Sequence, residues 1–153
     1  MWGAMGDGTA RPSPTGALTY ARSGAGCVAS TSGDMAIFLR YLLSLAQGRG
    51  GPVLSDASAA AFMANPADAP GWSETAKYGN GLARLTIDER HYLHHTGGMV
   101  SFCSSMHVDP EAGVAAFAST NMGVSLNYRP RDVSLRACQL FRTAREGATL
   151  PDA

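Results

Sequence analysis

The sequence predicts an α+β fold, an antiparallel sheet of about four strands with flanking helices. Three observations carry this. Two helical patterns come first, several short strand-like runs separated by turn residues follow, and one more amphipathic helix comes last. With 153 residues the chain has the usual size of one domain, and 1–153 is read as a single one. A chain this long buries roughly 68–70% of its unfolded surface, enough for a core.

Residues 1–30 are dense in Gly, Pro, Ser and Thr without a sustained period, so they read as loop-rich, with Thr9 to Gly16 an extended loop. Residues 33–64 read as helical. From Gly33 to Gln47, Thr31 or Ser32 supplies an N-cap, Asp34 favours the first turn, and Gly48 is a natural stop. Phe38, Tyr41, Leu42 and Leu45 follow the i, i+3, i+4, i+7 spacing, and Leu39 and Leu43 widen that face. A shorter helix follows the cap Ser55, carries Ala59, Ala60, Phe62 and Met63, and ends at Asn65-Pro66.

Residues 78–121 read as the sheet. Leu82 to Ile87 and His91 to His95 flank a hairpin turn at Asp88-Glu89-Arg90. Val100, Phe102, Met106 and Val108 alternate with Ser101, Cys103, Ser105 and His107, which predicts a strand with one wetter face. Asp109 to Gly113 makes the next turn. Val114 to Ala118 is apolar throughout, as in a strand covered on both faces. The last helix, 130–146, opens at Pro130 with an apolar stripe of Val133, Ala137, Leu140, Phe141 and Ala144.

Composition narrows the function classes. Hydrophobic residues at 45% and charged residues at 16% give a globular balance rather than a disordered one. The 12 basic and 12 acidic residues cancel, and no basic stripe stands out, so there is no footprint for nucleic acid or an anionic membrane. No stretch approaches the roughly 20 apolar residues of a membrane-spanning helix. Met1 to Gly8 lacks the charged and apolar regions of a signal peptide, which leaves the compartment open. Cys27, Cys103 and Cys138 are far apart and form no C-x-x-C pair, so they read as small buried apolar residues. His91, His94, His95 and His107 have no carboxylate or cysteine at a ligand spacing, so no metal or cofactor is expected. His94 and His107 read as partly exposed structural residues.

His95-Thr96-Gly97 ends a strand, then come Gly98 to Phe102 with Ser101-Phe102, Asp109-Pro110-Glu111-Ala112-Gly113, and an apolar strand ending in Thr120-Asn121. This order resembles the C-terminal part of the serine β-lactamase and penicillin-binding protein family: class C β-lactamases, D-alanyl-D-alanine carboxypeptidases and related esterases. Gly26 to Thr31 followed by Asp34-Met35 and Phe38-Leu39, and Tyr78-Gly79-Asn80-Gly81, resemble upstream pieces of the same family. The resemblance runs from about Gly24 to Phe141.

It implies the α+β half of a β-lactamase-like fold. It also implies acyl-serine hydrolysis of an ester, amide or β-lactam bond in the parent, on a small-molecule or peptide-like substrate. The family uses a Ser-x-x-Lys nucleophile, a Tyr-x-Asn or Ser-x-Asn element and a Lys-Thr-Gly or His-Thr-Gly strand. By resemblance, His95, Thr96 and Gly97 form the catalytic pocket's strand triplet, and Gly98 and Met99 line the substrate site, with backbone N–H of that region at the oxyanion hole. The acylating pair is not in this sequence. Lys77 is the only lysine, Glu74 stands three residues before it, and Ser73 four. Tyr78-x-Asn80 matches the tyrosine element by letter, but it falls where the family has its Tyr-Gly-x-Gly strand and reads as a coincidence. Loss of such a nucleophile alone costs on the order of 10⁶ in rate.

The chain is therefore expected to be a C-terminal fragment, inactive alone. A non-catalytic binding module, or an interaction module that self-associates through an exposed sheet edge, is the alternative.

Overall fold

The computed structural model describes residues 2–4, 10–12, 26, 28–99, 102–121 and 130–147. Near the N-terminus β1 (Trp2–Ala4) and β2 (Ala10–Pro12) pair antiparallel as a separate two-stranded sheet. Ala10 to Pro12 were expected as loop; the rest of Thr9 to Gly16 lies outside the described residues, as do Cys27, Val100 and Ser101.

Thr31 begins α1 (Ser32–Ala46). Its hydroxyl accepts the Asp34 N–H at 3.1 Å and donates to the Asp34 carboxylate at 2.8 Å. The helix buries Leu39, Leu42 and Leu45, while Phe38, expected on the buried face, is 43% exposed. By spacing Phe38 shares the stripe with Leu42 and Leu45 (i, i+4, i+7), but it stands a turn nearer the helix start and is only partly covered there. Gly48 ends the run at φ 74°, the left-handed geometry a helix stop needs. Ser55 caps α2 (Asp56–Met63) through the Ser58 N–H, and of that helix only Ala59 is buried.

Six strands then form one antiparallel sheet in sequence order: β3 (Ala67–Asp68), β4 (Lys77–Gly79), β5 (Leu82–Ile87), β6 (Arg90–Met99), β7 (Phe102–Asp109) and β8 (Val114–Thr120). The expected four are β5 to β8, and the short β3 and β4 extend the sheet on one side. Asp88 and Glu89 turn β5 into β6 with φ of 50° and 62°, the two positive values of a tight primed hairpin turn. The turn from β7 to β8 closes with the Asp109 carboxylate accepting the Ala112 N–H at 2.9 Å and Gly113 at φ 68°. α3 (Pro130–Arg145) follows.

The two sheet faces bury different things. On one, Leu82, Leu93, Met106 and Val108 join Leu39, Leu42, Leu45 and Ala59, with Ala115 and Phe117 packed against them. On the other, Tyr92, Ala116 and Cys138 form a second cluster under α3. β8 is thus covered on both faces, as its apolar run predicts.

Two expectations fail for one reason. The wetter face expected for β7 is dry: Ser105, His107 and Asp109 are all buried. The stripe expected for α3 is rotated, with Val133 and Phe141 left exposed and Pro130, Ser134 and Cys138 buried. α3 docks by matching polar groups to the polar residues of β7. The Ser134 hydroxyl lies 2.8 Å from His107 Nδ1 and 3.0 Å from the Ser105 hydroxyl. Buried polar groups need partners, and that need outweighs the gain from burying two more apolar side chains.

Candidate functional site

β5 pairs with β6 from Arg90 to His94 only, whereas β7 pairs with β6 from Leu93 to Met99. From His95 onward, β6 therefore has a partner on one side alone among the described residues. Its other edge leaves backbone donors and acceptors free of the sheet, the arrangement from which a strand binds an extended ligand. The whole proposed triplet falls on this overhang. His95 is half-buried, and Thr96, Gly97 and Gly98 are exposed. The Met99 side chain lies outside the described residues. Gly97 opposes Ser104, and a Cβ there would stand 2.8 Å from the Ser104 hydroxyl, which suits a position without a side chain.

Tyr78, on β4, reaches this overhang. Its hydroxyl lies 3.0 Å from His95 Nε2. Trp72 lies against both, stacked on Tyr78 at 5.9 Å between ring centroids and tilted against His95 at 5.6 Å. The indole is placed by a tight turn in which the Ala69 N–H donates to the Ala76 carbonyl at 2.8 Å and the Trp72 N–H to that of Ala69 at 3.0 Å. Sequence reading set Tyr78-x-Asn80 aside, and the structure divides that motif. Tyr78 joins His95, but Asn80 turns away and donates to the Phe62 carbonyl at 2.8 Å. Lys77 leads elsewhere too, paired with Asp68 at 3.0 Å on the surface.

Behind the overhang is a polar cluster that the sequence reading missed. His94 and His107 oppose each other across β6 and β7, and both are 0% exposed, not partly exposed as expected. Their rings stack with centroids 4.2 Å apart, and Trp72 meets His94 edge-on at 5.4 Å. His94 Nδ1 is 2.8 Å from the Met106 carbonyl. A carbonyl only accepts, so His94 is protonated at Nδ1. Among the described residues neither Nε2 has a hydrogen-bond partner. Burial lowers His94 to about 4, with Arg131 and His95 adding to the effect against the Met106 bond. Burial lowers His107 to about 3, with His94 and Arg131 assisting. Both rings are neutral near pH 7. The signal for this cluster was only the coincidence of His94, His107 and Ser134 in register, which strand alternation cannot supply.

Next to it, Arg142 donates to the Tyr92 hydroxyl at 2.6 Å and lies 3.6 Å from Asp109, which is buried. Cys138 is buried, with its thiol pushed up to about 11 by burial, and Cys103 is only half-buried; neither is in a disulfide. Among the described residues no group of three or more His, Cys, Asp or Glu is placed to hold a metal, and no helix is long and apolar enough to cross a membrane. An apolar groove of about 410 Å³ follows the edge of β8 between α1 and α3, lined by Leu39, Leu43, Ala115, Phe117, Ala137 and Phe141.

A family model described as Beta-lactamase matches residues 1–141. No curated protein and no solved structure matches the chain. The match covers the helices, the sheet, the His95-Thr96-Gly97 overhang and most of α3, and extends the sequence resemblance to the first residue. With an α+β fold of helices and an antiparallel sheet in agreement, the chain belongs to the beta-lactamase family, related to the serine hydrolases.

Proposed function

We propose that this chain carries the substrate-orienting wall of a β-lactamase-related serine hydrolase site and lacks the acylating pair, so that it is inactive alone. The observation that supports this is the β6 overhang from His95 to Met99, free of β5 and walled by Tyr78 and Trp72. On this reading His95 and the exposed backbone from Thr96 to Gly98 hold a polar group of an ester, amide or β-lactam substrate, and Gly98 and Met99 line its path. The sole lysine is committed to Asp68, and neither Ser73 nor Glu74 makes a Ser-x-x-Lys pair with it. Titration of the ¹⁵N-labelled chain with benzylpenicillin and with phenyl acetate tests the wall. Amide shifts concentrated at His95 to Gly98 support it, and shifts elsewhere or none count against it.

A second reading is favoured by β8. Among the described residues it stands at the sheet edge, beside the apolar groove and the 53% exposed Phe141. In that reading the chain is an interaction module that pairs along β8 with another copy of itself. A concentration-dependent dimer in sedimentation supports it, and a monomer at every concentration removes it.

A further inference from the structure

Tyr78 and His95 are 17 residues apart and belong to β4 and β6, yet Oη of one lies 3.0 Å from Nε2 of the other. Among the described residues the His95 ring has no other hydrogen-bond partner. Trp72 stacks on the phenol with the two ring planes 14° apart and contacts His95 itself, so the phenol is held from behind while its hydroxyl meets the imidazole.

We propose that Tyr78 is a positioning residue for His95: its O–H donates to Nε2 and holds the imidazole as the Nδ1–H tautomer. A phenol O–H is a stronger acid than an imidazole N–H, and a neutral imidazole nitrogen accepts better than a phenol oxygen, so O–H···N is the favoured sense of this bond. With Nε2 occupied, Nδ1–H is the polar group the ring offers to a ligand. A neutral N–H donor suits the carbonyl oxygen of an ester or amide better than a free carboxylate, which is held more strongly by a cation. In its neutral form the ring therefore suits an uncharged acyl oxygen better than a carboxylate at this position. Its meaning for substrate choice rests on the reading of His95 as a pocket residue, but the hydrogen bond and the tautomer do not.

The test is two-bond ¹H–¹⁵N NMR of the histidine side chains of the whole chain, at a pH where the rings are neutral, for the wild type and Tyr78→Phe. The expected result is the Nδ1–H form at His95 in the wild type and a move towards Nε2–H in Tyr78→Phe. His94 should keep its buried Nδ1–H signature in the variant, which shows that the fold stands. A wild-type His95 already in the Nε2–H form, or one whose tautomer does not change in a folded variant, overturns the proposal. If Tyr78→Phe does not fold, the wild-type tautomer decides alone. No substrate enters this measurement, so its failure is separate from a failure of the pocket reading in the ligand titration.

Discussion

His94 and His107 stack 4.2 Å apart in the core, each fully buried and each with an Nε2 that has no hydrogen-bond partner among the described residues. Among the described residues no carboxylate is hydrogen-bonded to either ring, and Arg131 opposes a charge on both. The pair favours the neutral state. Their folded values, about 4 and about 3, lie below the ordinary 6.5. The unfolded chain therefore binds protons that the folded one refuses, and the histidine contribution to stability is whole above about pH 6.5 and declines as pH falls towards 3. Between pH 8 and pH 5 this amounts to as much as about 2 kcal/mol for each histidine. Urea midpoints at the two pH values measure it, and His94→Phe should flatten the dependence.

Ser134 ties α3 to β7. Its hydroxyl touches His107 Nδ1, the Ser105 hydroxyl and, at 3.1 Å, the Arg131 carbonyl. Ser134→Ala leaves His107 and Ser105 unpaired in the core, at a cost of about 1–3 kcal/mol. Val133→Ala, on the exposed side of the same helix, should cost far less. Denaturant melts of the two variants give the comparison.

Arg142 is the ion-pair partner of the buried Asp109 carboxylate, at 3.6 Å. Removing the arginine alone, as Arg142→Met, strands a buried charge and should destabilise by about 3–5 kcal/mol. Adding Asp109→Asn should return part of that loss, because the stranded charge is gone. A double-mutant cycle by chemical denaturation checks both statements.

Two glycines of the turn after α1 are required for different reasons. Gly48 has open space around it but a φ of 74°, so Gly48→Ala should cost about 1–2 kcal/mol. At Gly50 a Cβ would stand 2.0 Å from the Leu54 carbonyl oxygen, so backbone must move. Gly50→Ala should cost more than Gly48→Ala, and thermal melts of the pair give the order.

Much of the fold was legible because local rules decided it. Thr31, Ser55, Gly48 and Asp88-Glu89 set helix and hairpin ends through caps and turn geometry that short-range sequence reveals. The faces of α3 and β7 were misread because polar pairing between them, not hydrophobic periodicity, chose which sides meet. His95-Thr96-Gly97 falls on β6 beyond its pairing with β5. Tyr78 was not legible as its neighbour, since the contact depends on where β4 stands relative to the end of the β5–β6 pairing.

If this chain holds a pocket wall without a nucleophile, it should not turn over an activated ester or a β-lactam. Hydrolysis of p-nitrophenyl acetate and of a chromogenic cephalosporin, with and without a serine-directed fluorophosphonate, tests it most directly. No turnover above the uncatalysed rate and no labelled serine are expected. Turnover abolished by the probe, with a labelled serine, would contradict it.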